Sequence, residues 1–292
     1  MRTSVNPHNL IARLRGASPK SAASSITDRD EYRSFCERAA TDDAVFFTFR
    51  RAPIYVDTLE HVTRDQGAAY VAAILRDNPD LLTDSPDRYH GNDTLGSPQL
   101  HEYGITGPVS PVTLRYLKVV SDLRRLFGDL SGSHIVEIGA GYGGQCRLIT
   151  QYWPEATYTL VDIPPALALA RRYLTALGTD ARIKFEAPDE VRARRYDLCI
   201  SNYAFSELAR PVQQAYADAV VSHSERGYMT CNFISKAHKI DSMGRSELLA
   251  LHVGTRWVEE EPLTHPENAI LVWGITHPRG ERHEDPDGST MR

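Results

Sequence analysis

Apolar and polar positions follow two different periods along this chain, and the change comes near residue 130. Beyond that point, short apolar runs are separated by stretches in which apolar residues recur every three or four positions. The runs are HIVEIG, YTLVDI, RIKFEA, YDLCIS, GYMTCNF, TRWVEEE and AILVWGITH, which begin at residues 134, 158, 182, 196, 227, 255 and 269. Buried strands that alternate with helices indicate a doubly wound, mostly parallel sheet.

The end of the pattern predicts one strand of opposite direction. The last two apolar runs are separated only by PLTHPEN, 262–268. A crossover between parallel strands needs at least about 10–12 residues, so this connection is too short for one. We therefore predict an α/β fold of the Rossmann-like type, with a seven-stranded sheet whose last strand is antiparallel to its neighbour.

The first 130 residues have a helical period. It predicts a helix from Thr27 to about Ala40 and one or two helices over 56–82. Another helix should begin at Ser110–Pro111, because Ser is a good N-cap and Pro is favoured at the first helical position, and should end at Gly128. The stretch 83–109 is rich in Gly, Pro, Asn and Asp, and irregular segments of this length are usually functional or disordered. We expect it to form a lid over the strand ends.

These patterns divide the chain into four segments. We expect a flexible N-terminus, a helical and lid region, one α/β domain and a disordered tail, over 1–27, 28–128, 129–278 and 279–292.

Composition narrows the classes of function. The chain has 292 residues, of which 41% are hydrophobic, and a formal net charge of −5. That charge does not favour nucleic acid as a partner, and no apolar run approaches the roughly 18 residues of a membrane span. The four cysteines form no CxxC pair, which argues against a zinc site or a disulfide framework and fits a reducing cytoplasm.

The first predicted strand is followed by four glycines within the sequence GAGYGG. Gly139, Gly141 and Gly144 fit the pattern GxGxxG, in which bare backbone and a helix N-terminus approach a ligand. Glu137 lies inside the strand, where S-adenosylmethionine (SAM) sites place an acid toward the methionine amino group. Asp162 ends the second strand, where an acid accepts hydrogen bonds from ribose hydroxyls in both NAD and SAM sites. The antiparallel last strand favours SAM over a nicotinamide.

The fourth strand ends in SNYAFSEL, 201–208. The end of this strand is where methyltransferases present the donor methyl group to the acceptor. The polar residues expected there are Ser201, Asn202, Tyr203, Ser206 and Glu207, while Phe205 is expected to pack beneath the following helix.

The chain resembles the sugar O-methyltransferases found among bacterial natural-product and polysaccharide genes. The resemblance covers about residues 90–275 and rests on NDTLGSP, SPVTLRYL, FGDL, VEIGAGYGGQ, YTLVDIP, YDLCISNYAFSEL, GYMTCNF and the ending EEPLT…NAILVW. It implies that the domain 129–278 binds SAM and that a methyl group is transferred to a hydroxyl of a sugar or glycosylated natural product. The cofactor-binding residues are then expected to be Glu137, Gly139, Gly141, Tyr142, Gly143, Gly144, Asp162, Ile163, Ser201 and Asn202.

A hydroxyl acceptor calls for a general base. The candidate catalytic residues are His101 in the expected lid, Tyr203 and Glu207 after the fourth strand, and His238 after the fifth. A metal-dependent version would need carboxylates, and Asp93, Asp241, Glu260 and Glu261 are available, but no spacing among them indicates a metal site. We therefore predict none.

Two other classes of function stay open at this point. A nicotinamide-dependent oxidoreductase would use the same glycine pattern, and a SAM-fold protein that binds without catalysis would serve as a partner subunit. The acceptor is expected to be a small molecule. The sequence leaves the oligomeric state open, with a homo-oligomer as one alternative.

Overall fold

The computed structural model describes Ser25 and residues 29–179 and 182–275. A seven-stranded sheet forms its centre, with the strand order β3-β2-β1-β4-β5-β7-β6. The strands are β1 (His134–Ile138), β2 (Thr157–Val161), β3 (Ile183–Glu186), β4 (Tyr196–Asn202), β5 (Ser224–Cys231), β6 (Arg256–Glu259) and β7 (Ala269–Trp273). The first five pair in parallel, and β7 runs antiparallel to both of its neighbours. The predicted fold, including the reversed last strand, is confirmed.

Helices flank the sheet. They are α1 (Asp30–Thr41), α2 (Asp43–Phe46), α3 (Pro53–Thr58), α4 (Arg64–Asp77), α5 (Asp80–Thr83), α6 (Asp87–His90), α7 (Pro111–Phe127), α8 (Gly144–Tyr152), α9 (Pro164–Ala176), α10 (Ala204–Glu207), α11 (Arg210–Ala219) and α12 (Arg245–Leu249). Short 3₁₀ turns cover Phe49–Arg51, Gly91–Asp93, Val221–His223 and Ile234–His238. Within the described residues, no helix is both long and apolar enough to cross a membrane.

The predicted boundaries of α7 are confirmed, and the local chemistry explains them. The Ser110 hydroxyl accepts a hydrogen bond from Val112 N at 3.3 Å, and Pro111 occupies the first turn. Gly128 follows the helix with a φ of 73°, a conformation that favours glycine.

The region 56–82 contains α4, the end of α3 and most of α5, whereas the sequence predicts one or two helices there.

The N-terminal helices share one apolar core with the sheet. Tyr142, from the glycine-rich turn, is fully buried, and its ring lies 5.4 Å from Phe49, 6.2 Å from Tyr55 and 4.9 Å from Tyr173 between centroids. Because Phe49 and Tyr55 come from the N-terminal region and Tyr173 from α9, this aromatic cluster joins the helical region to the α/β domain.

A buried charge cluster lies beside the aromatic cluster. The Arg50 guanidinium is enclosed by protein, pairs with Glu60 at 2.6 Å and Asp93 at 3.0 Å, and lies over the Tyr142 ring. Asp93 also accepts hydrogen bonds from Ser110 N and the Thr113 hydroxyl. Since a buried charge is costly without partners, these pairs hold the segment around Glu60 in a defined position.

The stretch 83–109 is more ordered than its composition predicts. It contains α6, the turn Gly91–Asp93 and a two-stranded hairpin of His101–Glu102 with Pro108–Val109. Asn92 is fully buried, where its amide donates to Gly144 O at 2.9 Å and accepts from Arg147 at 2.8 Å. The polar residues that indicate a loop are here the partners of buried groups.

Candidate active site

An open cleft of about 1410 Å³ lies at the carboxyl ends of the parallel strands. Its floor comes from the ends of β1, β2 and β4, which is the usual ligand position in doubly wound sheets. Its walls come from α1, the region 54–66, and the segments that follow β4, β5 and β6. No residue of 83–109 lines the cleft, so the expected lid is corrected. Residues of α1 and 54–66 line the cleft instead, and Tyr55 of this region packs on Tyr142 of the glycine-rich turn.

The turn after β1 exposes its main chain to the cleft. Gly139 has a φ of 81° and Gly141 a φ of 55°, and both line the cleft. Gly139 N donates to Val161 O at 2.8 Å, which ties the turn to β2. A Cβ on Gly139 would come within 2.0 Å of the Ala204 side chain, so this position has no room for another residue.

Asp162 closes β2 directly beside this turn. Its carboxylate accepts hydrogen bonds from Gly141 N at 2.9 Å and Ile163 N at 2.7 Å. Burial raises the pKa of Asp162 to about 6, while the two backbone donors favour the charged form. Each carboxylate oxygen can accept a further hydrogen bond, so the group can bind a diol from the cleft.

Glu137 places a second carboxyl group on the cleft floor. It is 2% exposed, and the Tyr158 hydroxyl donates to it at 2.7 Å. Burial raises its pKa to about 8; the hydrogen bond from Tyr158 opposes this shift, and the charge of Asp162 adds to it. A carboxyl group held in this way gains most from a cationic partner that enters the cleft.

The end of β4 is fixed by side-chain hydrogen bonds. Ser201 Oγ donates to Ile138 O at 2.9 Å and accepts from Phe205 N at 3.0 Å, so it joins β1 to the turn behind the cleft. Tyr203 follows with a φ of 69°, which is unusual for a residue with a side chain. Its hydroxyl donates to Glu260 at 2.6 Å, and burial raises its pKa well above the ordinary value.

Glu207 faces the cleft from α10. Its carboxylate accepts a hydrogen bond from the Asn232 amide at 2.6 Å, and both residues line the cleft. Burial raises the pKa of Glu207, and the bond from Asn232 opposes the shift. His238 also lines the cleft, from the 3₁₀ turn after β5, and is exposed there.

Sequence reasoning missed two cationic or basic residues of the cleft. His61 follows α3 and stands exposed at its edge, where surrounding protein atoms and the Arg115 charge lower its pKa to about 4. Arg115 comes from the first turns of α7. Neither follows a strand, and helical periodicity alone gave no reason to place either of them at the strand ends.

Most of the predicted site residues are brought together. The residues that line the cleft are Glu137, Gly139, Gly141, Asp162, Ile163, Asn202, Tyr203, Glu207 and His238. Four others lie behind its surface: Tyr142, Gly143, Gly144 and Ser201. The prediction that His101 is catalytic is corrected. His101 pairs with Val109 in the hairpin and does not line the cleft, because 83–109 packs against α7 and α8 instead of over the strand ends.

The carboxylates considered for a metal are each engaged elsewhere. Asp93 pairs with Arg50, Asp241 with Arg210, Glu261 with Arg76, and Glu260 accepts from Tyr203. In the part of the chain that the structure describes, no three His, Cys, Asp or Glu side chains come together as a metal site would require.

Comparison with known proteins finds methyltransferases. No protein-family model matches the chain. Malonyl-[acyl-carrier protein] O-methyltransferase of Acetivibrio thermocellus is 29% identical over 106 residues, which are 33% of this chain and 36% of that protein. Trans-aconitate 2-methyltransferase of Streptomyces avermitilis is 26% identical over 203 residues, 59% of this chain and 74% of that protein. The structure of the mitomycin 7-O-methyltransferase MmcR has 18% identity and a TM-score of 0.41, with 56% of this chain and 57% of that chain covered. The chain thus spans about a third of the length of the first relative.

Proposed function

We propose that this protein is a SAM-dependent methyltransferase that transfers the methyl group to a hydroxyl of a small acceptor. The observation that carries the proposal is the pair of carboxyl groups, Glu137 and Asp162, on either side of the bare glycine turn. Asp162 can bind the ribose diol of a nucleoside, and Glu137 can bind an ammonium group. SAM carries both groups, and the similarity to methyltransferases supports it as the cofactor.

A nicotinamide cofactor fits this cleft less well. NAD also carries a ribose diol, so Asp162 does not discriminate between the two cofactors. Glu137 does discriminate, because SAM offers an ammonium group that would favour its charged form, whereas in NAD the group that follows the adenosine ribose is an anionic pyrophosphate, which gains nothing from a carboxyl group there.

The residues beyond β4 support a hydroxylated acceptor. When bound, SAM supplies a methyl group already activated by its sulfonium. The chain must then orient the acceptor oxygen and accept its proton. We assign the role of base to Glu207, which lines the cleft after β4 and whose pKa is raised by burial, since a base with a pKa nearer the working pH is more effective. His61 and His238 are further candidates on the same cleft. Tyr203 holds its proton, so we assign it to positioning rather than to proton removal.

A sugar or glycoside is the acceptor class that we propose. Polar side chains that can bind hydroxyl groups line the acceptor side of the cleft, namely Asn202, Glu207, Asn232, Thr264, His265 and Asn268. The named substrates of the two relatives are acids, so trans-aconitate serves as the competing acceptor in the test.

The test incubates the protein with SAM and a panel of glycosides, and detects methylated products by mass spectrometry. A methyl ether on a glycoside that bears the free hydroxyl, and none on the matching deoxy glycoside, is the expected result. Methylation of trans-aconitate alone would refute the sugar assignment while leaving the methyltransferase intact. SAM binding without transfer to any acceptor would favour a non-catalytic partner subunit.

A further inference from the structure

Arg115 is a buried cation without an ionic partner. It is 8% exposed, yet among the described residues no ion pair includes it. One guanidinium nitrogen donates to Leu59 O at 3.3 Å, and its Nε has no hydrogen-bond partner in the described structure. Arginine stays charged at any physiological pH. This guanidinium lies over the rings of Tyr116 and Tyr203 and is attracted by the charge of Glu60, but no carboxylate pairs with it among the described residues.

Arg50 is a second buried arginine, and it has a structural role. Arg50 is 1% exposed and is neutralised by Glu60 and Asp93. Both carboxylate oxygens of Glu60 accept hydrogen bonds from Arg50, so Glu60 does not pair with Arg115. The contrast indicates that the counter-charge of Arg115 comes from outside the chain, because an unpaired buried charge is strongly destabilising.

The surroundings of Arg115 place it between the donor and acceptor parts of the cleft. Its guanidinium carbon lies 5.7 Å from the ring centre of Tyr203, at the end of β4. Leu59, whose carbonyl accepts the hydrogen bond from Arg115, packs on the glycine turn. A Cβ added to Gly141 would lie only 3.0 Å from the Leu59 side chain. Arg115 itself lines the cleft. The adjoining cavity of about 20 Å³ has room for a water, but a neutral water would not balance the charge of Arg115.

We propose that Arg115 binds a carboxylate in the cleft. Guanidinium and carboxylate match in geometry and charge, and hydrogen bonds between them are the stronger kind. The inference rests on the proposed function, under which two carboxylates can reach this position: that of the methionine part of SAM, or that of an acidic acceptor such as a uronic acid.

The test uses isothermal titration of the wild-type protein, Arg115→Gln and the charge-retaining Arg115→Lys. One pair of ligands is S-adenosylhomocysteine (SAH) and its decarboxylated analogue. The other pair is glucuronate and glucose, each titrated in the presence of SAH. If the cofactor supplies the carboxylate, the glutamine variant should bind SAH about ten- to hundredfold more weakly and the decarboxylated analogue unchanged. If the acceptor supplies it, SAH binding should persist and the preference for glucuronate should be lost. Because Arg115→Lys keeps the positive charge, it should retain part of the SAH affinity in the first case and part of the preference for glucuronate in the second.

The wild-type protein alone can overturn the proposal, so a variant that fails to fold does not leave it undecided. Equal affinities within both ligand pairs would refute a carboxylate site. Folded Arg115→Gln with wild-type affinities throughout would refute it as well. If neither SAH nor its decarboxylated analogue binds, the proposed function fails instead, which separates the two results.

Discussion

The buried carboxyl group of Glu137 should make cofactor binding depend on pH. Burial raises its pKa to about 8, so in the free protein it is mostly neutral at pH 7. An ammonium group that binds beside it favours the charged form and lowers the pKa in the complex. Binding below pH 8 must therefore release a proton, and the affinity must rise as the pH rises toward 8.

The expected size follows from the fraction of Glu137 that is ionised. With a pKa of about 8, this fraction is about 3% at pH 6.5 and about 50% at pH 8, so the affinity for SAH should increase roughly 15-fold. Asp162, with a pKa of about 6, contributes only about 1.3-fold over the same interval. Tyr158 and Cys146, the other titratable neighbours, have pKa values raised by burial and stay neutral.

Calorimetry tests this directly when each titration is run in two buffers of different ionisation enthalpy. At pH 6.5 the wild-type protein should release about one proton more on binding SAH than Glu137→Gln, which should release only the roughly 0.2 proton that Asp162 contributes. The variant should also lose most of the pH dependence. An affinity that is flat from pH 6.5 to 8, or a pH dependence that the variant retains, would refute the role assigned to Glu137.

Three further predictions concern other residues of the cleft and the buried charge cluster. Asp162→Ala should weaken SAH binding by about 1.5–3 kcal/mol, the usual contribution of hydrogen bonds to a charged group, and unchanged affinity in a titration would count against ribose binding there. Glu207→Gln should lower kcat at least about 100-fold without changing SAH affinity, and a wild-type kcat would exclude it as the base. Arg50→Met should lower the free energy of unfolding by about 3–5 kcal/mol in urea, whereas Arg195→Met, which breaks the solvent-exposed pair with Glu225, should have a much smaller effect. Equal effects of these two arginine substitutions would contradict the contribution assigned to burial.

The α/β part of the fold could be predicted because its signals are local. Seven apolar runs, a seven-residue connection and the cap at Ser110 each depend on neighbours in sequence. The same holds for the floor of the cleft, since Glu137, Gly139, Gly141 and Asp162 all lie at strand ends that parallel pairing brings together.

The walls of the cleft could not be predicted in this way. His61 and Arg115 reach it only because an aromatic core and the buried pairs of Arg50 dock the N-terminal helices beside the strand ends. The stretch 83–109 shows a second limit of local signals. Its polar residues predict an irregular loop, but the buried Asn92 amide pairs with a backbone carbonyl and with Arg147. Such choices depend on contacts between segments far apart in the sequence.

The central claim is that an adenosyl group with a methionine tail fills the cleft between Glu137 and Asp162. Parallel calorimetric titrations of the wild-type protein with SAH and with NAD test it most directly. We predict saturable binding of SAH at one site per chain and no measurable binding of NAD. Binding of NAD in place of SAH, or of neither, would contradict it.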